Sequence, residues 1–215
     1  MTAIVLKKKK PWAEFADRVG RFLDQWGLFF RQFVRHPGMI GSAIPSSPQL
    51  VDAMLDGVDW QRTRLFVEYG PGVGTFTRTV LERLPADATL LAIDLNPDFI
   101  AYLGKHFHDP RLRLVLGSAI DVERHVAEAG HDRADYVLSG LPFSTLPEGV
   151  DAAICDRTRA ILRPGGRFLV YQYSARVRRL LAPRFADVVE RWEWRNVPPC
   201  RLFYAQSAMA LDRAA

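Results

Sequence analysis

The stretch Val67-Glu68-Tyr69-Gly70-Pro71-Gly72-Val73-Gly74-Thr75-Phe76-Thr77 decides the fold. It leaves the apolar run Arg64–Glu68, crosses three glycines at alternate positions, and enters a helical pattern that runs to about Leu84. The order is strand, tight loop, helix. Without a Cβ, glycine lets backbone approach a flat polar ligand closely and adopt positive φ. The same residues could form only a sharp strand-to-helix turn, so the surrounding pattern has to decide between the two.

Working outward, strand and helix signals alternate. Thr89–Asp94 reads as a second strand ending in an acid, and Asn96-Pro97 opens a helix through Phe99, Ile100, Leu103 and Phe107. Leu112–Leu116 is a third strand, followed by Gly117-Ser118-Ala119-Ile120-Asp121 and a helix. Asp135–Ser139 is a fourth, followed by Gly140-Leu141-Pro142-Phe143 and a helix from about Pro147 to Leu162. Arg163-Pro164-Gly165-Gly166 is expected to turn into a fifth strand, Arg167–Tyr171, and Val188–Trp194 and Leu202–Met209 to close the chain as a hairpin. Such alternation predicts an α/β fold, a Rossmann-like doubly wound sheet of seven mostly parallel strands with an antiparallel last strand. Ligands of such sheets bind beyond the carboxyl ends of the strands, where all the loops above fall. Asp94, twenty residues after Gly74, is placed to accept both hydroxyls of a ribose. Ser118, Ala119 and Asp121 are placed to edge an adenine ring. Glu68 either holds a ligand ammonium through water or braces the loop.

The N-terminal sequence has a different character. Residues 1–40 hold eight Lys/Arg against three Asp/Glu, whereas the remaining 175 hold 21 of each. After Lys7, Lys8, Lys9, Lys10 and Pro11, the residues Trp12, Phe15, Val19, Phe22, Leu23, Trp26, Phe29, Phe30, Phe33 and Val34 recur at spacings of three and four. That is one face of a helix, which Pro37-Gly38 ends. An aromatic face opposite arginines, behind a lysine cluster, is the composition of a helix lying in a membrane interface; docking on its own domain is the competing reading, and the two are compatible. Residues 1–40 are therefore expected to be an amphipathic membrane-interface helix and 41–215 the catalytic domain. In the linker, Ser47 is expected to cap a helix that has Pro48 at its first position. Cys155 and Cys200 lack metal-type spacing, so no metal and a reducing, cytoplasmic setting are expected. No apolar run approaches the length of a membrane span.

Taken together, E-x-G-x-G-x-G, Asp94 within LLAIDLNPDF, GSAID, SGLPF and RPGG before the fifth strand resemble the class I S-adenosylmethionine-dependent methyltransferases, from about Ala43 onward. The resemblance implies S-adenosylmethionine as cofactor, S-adenosylhomocysteine as product, and a cofactor site made of Glu68, Tyr69, Gly70, Gly72, Gly74, Thr75, Asp94, Leu95, Ser118, Ala119, Ile120, Ser139, Gly140 and Leu141. A NAD-binding domain would want G-x-G-x-x-G and a partner catalytic domain.

Two subfamilies fit. The rRNA adenine dimethyltransferases carry Asn-Leu-Pro-Tyr where this chain has Gly140-Leu141-Pro142-Phe143, so the side chain that would hold a base amine is missing; the even charge of residues 41–215 also argues against a nucleic-acid face. The amphipathic segment, GSAIPSSPQL, SGLPFS and VYQYS resemble the bacterial phospholipid N-methyltransferases more closely. That resemblance implies stepwise methylation of phosphatidylethanolamine toward phosphatidylcholine by a peripheral enzyme on the inner face of the cytoplasmic membrane. An rRNA adenine or small-molecule methyltransferase is the alternative. Phe143, Tyr171 and Tyr173 are the candidate aromatic wall for an increasingly alkylated cation, with Tyr173 or bulk water as proton acceptor. Arg176, Arg178 and Arg179 are candidates to meet the lipid phosphate.

Overall fold

The computed structural model describes residues 46–144, 146 and 149–209. The amphipathic segment expected over residues 1–40, with all its lysines and aromatics, lies outside them, as does Pro147.

The described residues open with α1 (Pro48–Leu55). Ser47 caps it by accepting from Leu50 N at 3.1 Å, with Pro48 at the first helical position. Its apolar face, Leu50, Val51, Met54 and Leu55, is buried, which stabilises by roughly 1.5–3 kcal/mol per side chain. Strands and helices then alternate as β1 (Leu65–Tyr69), α2 (Thr75–Arg83), β2 (Thr89–Asp94), α3 (Pro97–His106), β3 (Leu112–Leu116), α4 (Val122–Glu128), β4 (Ala134–Ser139), α5 (Val150–Ile161), β5 (Leu162–Gln172), α6 (Arg176–Leu181), β6 (Asp187–Glu193) and β7 (Cys200–Gln206).

The seven strands form one sheet in the order β3-β2-β1-β4-β5-β7-β6. Pairing is parallel from β3 through β5, and β7 runs antiparallel to both β5 and β6. This is the expected doubly wound topology. β1 is central and buried along its whole length, which is why it reads as an unbroken apolar run. Its side chains alternate between two cores. Leu65, Val67 and Tyr69 enter the layer shared with α4, α5 and α6, while Phe66 enters the layer of α1 and α2.

One element departs from expectation. Arg163–Gly166 is part of β5, not a turn before it. The register against β4 jumps from Ala134↔Leu162 to Tyr136↔Arg167, so the extra residues bulge out of the ladder, with Gly165 at φ +74. The bulge has partners: Ser207 N donates to Gly166 O at 2.8 Å, and the Arg163 guanidinium meets Asp135 at 2.7 Å. A Pro-Gly-Gly signal cannot separate a bulge from a turn, because both ask for the same φ.

Candidate active site

The parallel strands end in step. Gly70 N donates to Ile93 O, Gly140 N to Tyr69 O and Gly117 N to Asp94 O, at 2.9 to 3.0 Å. The ladder thus carries each chain one residue past its strand before the loops diverge along a common rim. Gly70, Gly72 and Gly74 all have positive φ, at +66, +57 and +82. A Cβ on Gly74 would come within 2.7 Å of the Phe107 ring, and one on Gly70 would lie 3.2 Å from Leu141 Cδ2. The loop is therefore fixed by packing as well as by backbone conformation. Thr75 is the first residue of α2, with Gly74 at its cap.

Asp94 closes β2 beside this loop. Its carboxylate accepts from Asn96 N at 2.8 Å and lies 3.5 Å from Gly72 N. Burial pushes its pKa above the usual carboxylate range, and these backbone donors pull it back. Next to it, Leu95 is 61% exposed. Ser118 caps a short 3-10 turn, Ala119–Asp121, by accepting from Ile120 N at 3.2 Å. Ser139 is buried and accepts from Leu141 N at 3.2 Å, holding the rim at Gly140. These residues fit S-adenosylmethionine: an acid for the ribose beside an open apolar side chain for the adenine, and a backbone cradle that only glycines permit. Among the described residues no cluster of His, Cys, Asp or Glu is arranged to hold a metal ion.

A buried carboxyl and a half-buried tyrosine give the site its character. Glu68 is 3% exposed and accepts from the Thr77 hydroxyl at 2.7 Å, tying β1 to α2. Desolvation, with a smaller push from Asp94, raises its pKa to about 7 against the Thr77 hydrogen bond. Tyr171 stands on the same side of the sheet. Its ring stacks on Phe76 at 5.0 Å between centroids. Its hydroxyl comes so close to Gly140 that a Cβ there would overlap it and lie 3.1 Å from Cζ and 3.2 Å from the Gly70 carbonyl oxygen. Burial, together with the charge of Glu68, raises the phenol's pKa, against a hydrogen bond with the Ser46 hydroxyl. The space that a side chain at position 140 would need is filled by Tyr171. Tyr173 follows just past the end of β5, 38% exposed.

The structure does not bring every candidate together. Phe143 is 2% exposed, in the core layer opposite Tyr171, edge-on to Phe168. The turn that places it there is tight: Phe143 N donates to Leu141 O at 3.0 Å, and Gln172 Nε2 donates to the same oxygen at 2.5 Å. It therefore forms no wall with the two tyrosines. Tyr69 also points inward, its hydroxyl 3.2 Å from Thr158 Oγ1, so only its backbone reaches the rim. Arg176, Arg178 and Arg179 are exposed on α6; Arg176 lies 4.0 Å from Asp151 and Arg178 3.7 Å from Glu190. Sequence reasoning passed over Ser46, Phe76 and Gln172. Phe76 follows the glycine loop and carried a usable signal; the other two act across long sequence separations and carried none.

Comparison with known proteins agrees with this geometry. A methyltransferase domain model matches residues 66–166. The chain is 28% identical over 185 residues to an ornithine lipid N-methyltransferase of Singulisphaera acidiphila, covering 83% of this chain and 94% of that protein. It is 39% identical to the ribosomal RNA small subunit methyltransferase A of Thiobacillus denitrificans, over 44% of this chain and only 34% of that enzyme. Among solved structures, a Burkholderia thailandensis 1,6-didemethyltoxoflavin-N1-methyltransferase with bound S-adenosylhomocysteine shares the fold at TM-score 0.57 and 18% identity, covering 95% and 93% of the two chains. With the glycine cradle, the ribose acid and the seven-stranded order on one rim, the chain is a class I S-adenosylmethionine-dependent methyltransferase.

Proposed function

We propose that this methyltransferase acts on the amine of a membrane lipid at the membrane surface, with phosphatidylethanolamine and its methylated derivatives as acceptors. The observation that carries this reading is the pairing of Gly140 with Tyr171. A base-modifying enzyme would place an amide side chain at position 140, and here a phenol fills that space. The similarity to a lipid N-methyltransferase, nearly end to end in that protein, supports it.

The bound cofactor supplies an already electrophilic methyl group on sulfur. What is left to the protein is to align the amine in line with it and to exclude water. Tyr171, kept neutral by burial, is placed to orient the amine from the rim. Tyr171 and Tyr173 together offer ring faces to a cation that gains alkyl groups with each transfer. An ammonium has no lone pair, so one proton must leave nitrogen before attack; it passes to bulk water, either directly or through the Tyr173 hydroxyl, which releases its own proton as it accepts. Arg176 and Arg179 would meet the lipid phosphate. Residues 1–40 would hold the enzyme on the inner face of the cytoplasmic membrane.

The Singulisphaera relative favours a second acceptor, the free amine of an ornithine lipid. Labelled S-adenosylmethionine offered to vesicles of either lipid, followed by thin-layer separation, decides between them. Label in neither lipid, with cofactor binding intact, would overturn the lipid reading.

A further inference from the structure

The β6–β7 hairpin carries a surface that neither the catalytic site nor the core uses. Trp194 is 68% exposed and Val197 75%, with Trp192 at 39%. The two indoles stack on each other, 4.8 Å between centroids, and the Arg201 guanidinium lies 4.1 Å above Trp192. Pro198 and Pro199 complete an exposed turn with few polar groups. Because β6 runs parallel to β1, this turn projects from the same carboxyl rim as the cofactor cradle.

The charge around it leans positive, although Arg176, Arg184 and Arg191 pair with Asp151, Asp156 and Asp56 of other elements. Residues 173–201 hold seven arginines against three acids, a net of +4. Of the three acids, Glu193 is buried and bound by Arg195, and Glu190 is engaged by Arg178 and Arg201. The described chain also begins here: Ser47 N donates to Asn196 Oδ1 in the turn at 3.2 Å, and Ser46 reaches Tyr171. The lysine-rich, aromatic sequence before residue 46 is thus joined to the domain at this rim.

We infer that the tip of the β6–β7 hairpin is a membrane contact of the catalytic domain itself, seating Trp194 and Val197 in the interface of an anionic bilayer beside the site entrance. Indoles favour that depth because their bodies are apolar and their N–H is polar. The surrounding arginines extend apolar stems with charged ends toward anionic headgroups. A nucleic acid fits less well, since the indole faces are engaged with one another and with Arg201, whereas single-strand binding needs separate stacking platforms. The inference rests on the lipid-methylating reading.

The test uses the full chain, as wild type, as W194S/V197S, and as Val197→Glu, which leaves the indole stack alone and puts an acid at the tip. Flotation with vesicles of phosphatidylethanolamine and phosphatidylglycerol should show binding reduced about fivefold or more in both variants. Turnover on a short-chain lipid dispersed below its micelle concentration should stay within about twofold, and S-adenosylmethionine affinity should be unchanged, because neither residue touches the cradle. Undiminished vesicle binding would overturn the inference, as would an equal loss on dispersed lipid, or lost binding to ribosomal RNA with vesicle binding intact. A wild-type enzyme that floats with vesicles but methylates no lipid would refute the acceptor while leaving the contact standing.

Discussion

Gly140 lacks a side chain because Tyr171 leaves no room for one. The sequence exposes only half of this relation, a glycine where a related enzyme has an amide; the phenol that fills the gap is 31 residues away and meets it across a strand pair. Gly140→Ala should therefore overpack the rim, lowering stability by about 1–3 kcal/mol and turnover with it. Tyr171→Phe removes the overlapping oxygen but not the nearby ring carbon. Combined with Gly140→Ala it should recover part of the lost stability and none of the turnover, as a thermal-melt and kinetic double-mutant cycle can read. A sum of two independent losses would refute the contact. Glu68 makes the second residue-scale prediction. Its folded pKa, about 7, lies above the ordinary carboxyl value of 4.5 because the buried carboxylate is desolvated. Stability from this group is therefore complete below about pH 4.5 and falls as pH rises to about 7, by on the order of 3 kcal/mol, then levels off. Glu68→Gln keeps an acceptor for Thr77 but cannot ionise. Its melting temperature should drop less than wild type's between about pH 5 and pH 7.5; parallel profiles would show that Glu68 does not titrate in that window.

At the scale of elements, β1, β2 and β4 were legible because a buried parallel strand shows itself as a short apolar run bounded by glycine or an acid, and β3, at the sheet edge with no buried residue, keeps the same kind of run. The helices were legible through caps such as Asn96, which accepts from Asp98 N at 2.9 Å. The bulged start of β5 was not, because the bond that makes its bulge tolerable is tertiary. Asp135, at the start of β4, accepts from Arg64 N at 2.6 Å and Leu65 N at 2.8 Å, and meets Arg163 with its other oxygen. One buried carboxylate thus fixes where β1 begins and where β5 bulges. Nothing in a linear pattern separates such an acid from a surface one. Phe143 was misplaced for a related reason: its side of the sheet depends on the turn at Leu141, which Gln172 closes from another strand. Asp135→Ala leaves two backbone donors and a guanidinium without their acceptor, and should cost about 3–5 kcal/mol in chemical denaturation. The shift should appear in the midpoint with little change in denaturant slope. A cost below about 1 kcal/mol would mean that water replaces the carboxylate without penalty.

For the whole molecule, the even charge of residues 41–215 is an average over segments of unequal charge. Residues 173–201 are net +4, so the remainder of that span is net −4, and the hairpin tip of the positive part lies on the carboxyl rim. The neutrality of the whole is a cancellation between segments, part of it through the ion pairs Arg176–Asp151, Arg184–Asp156 and Arg191–Asp56. On the lipid-methylating reading, this uneven charge orients the enzyme with its entrance toward an anionic surface, aided by the eight basic residues within the first forty. Such long-range attraction is screened within about 10 Å at 0.1 M salt and about 3 Å at 1 M, whereas apolar insertion and chemistry at a dry site are not. Raising salt from about 0.05 to about 0.5 M should therefore reduce turnover on anionic vesicles several-fold. Turnover on the same lipid dispersed in a neutral detergent should barely change. Equal salt sensitivity in both assays would place the charge effect on substrate binding in the site and leave orientation at the membrane with no part in it.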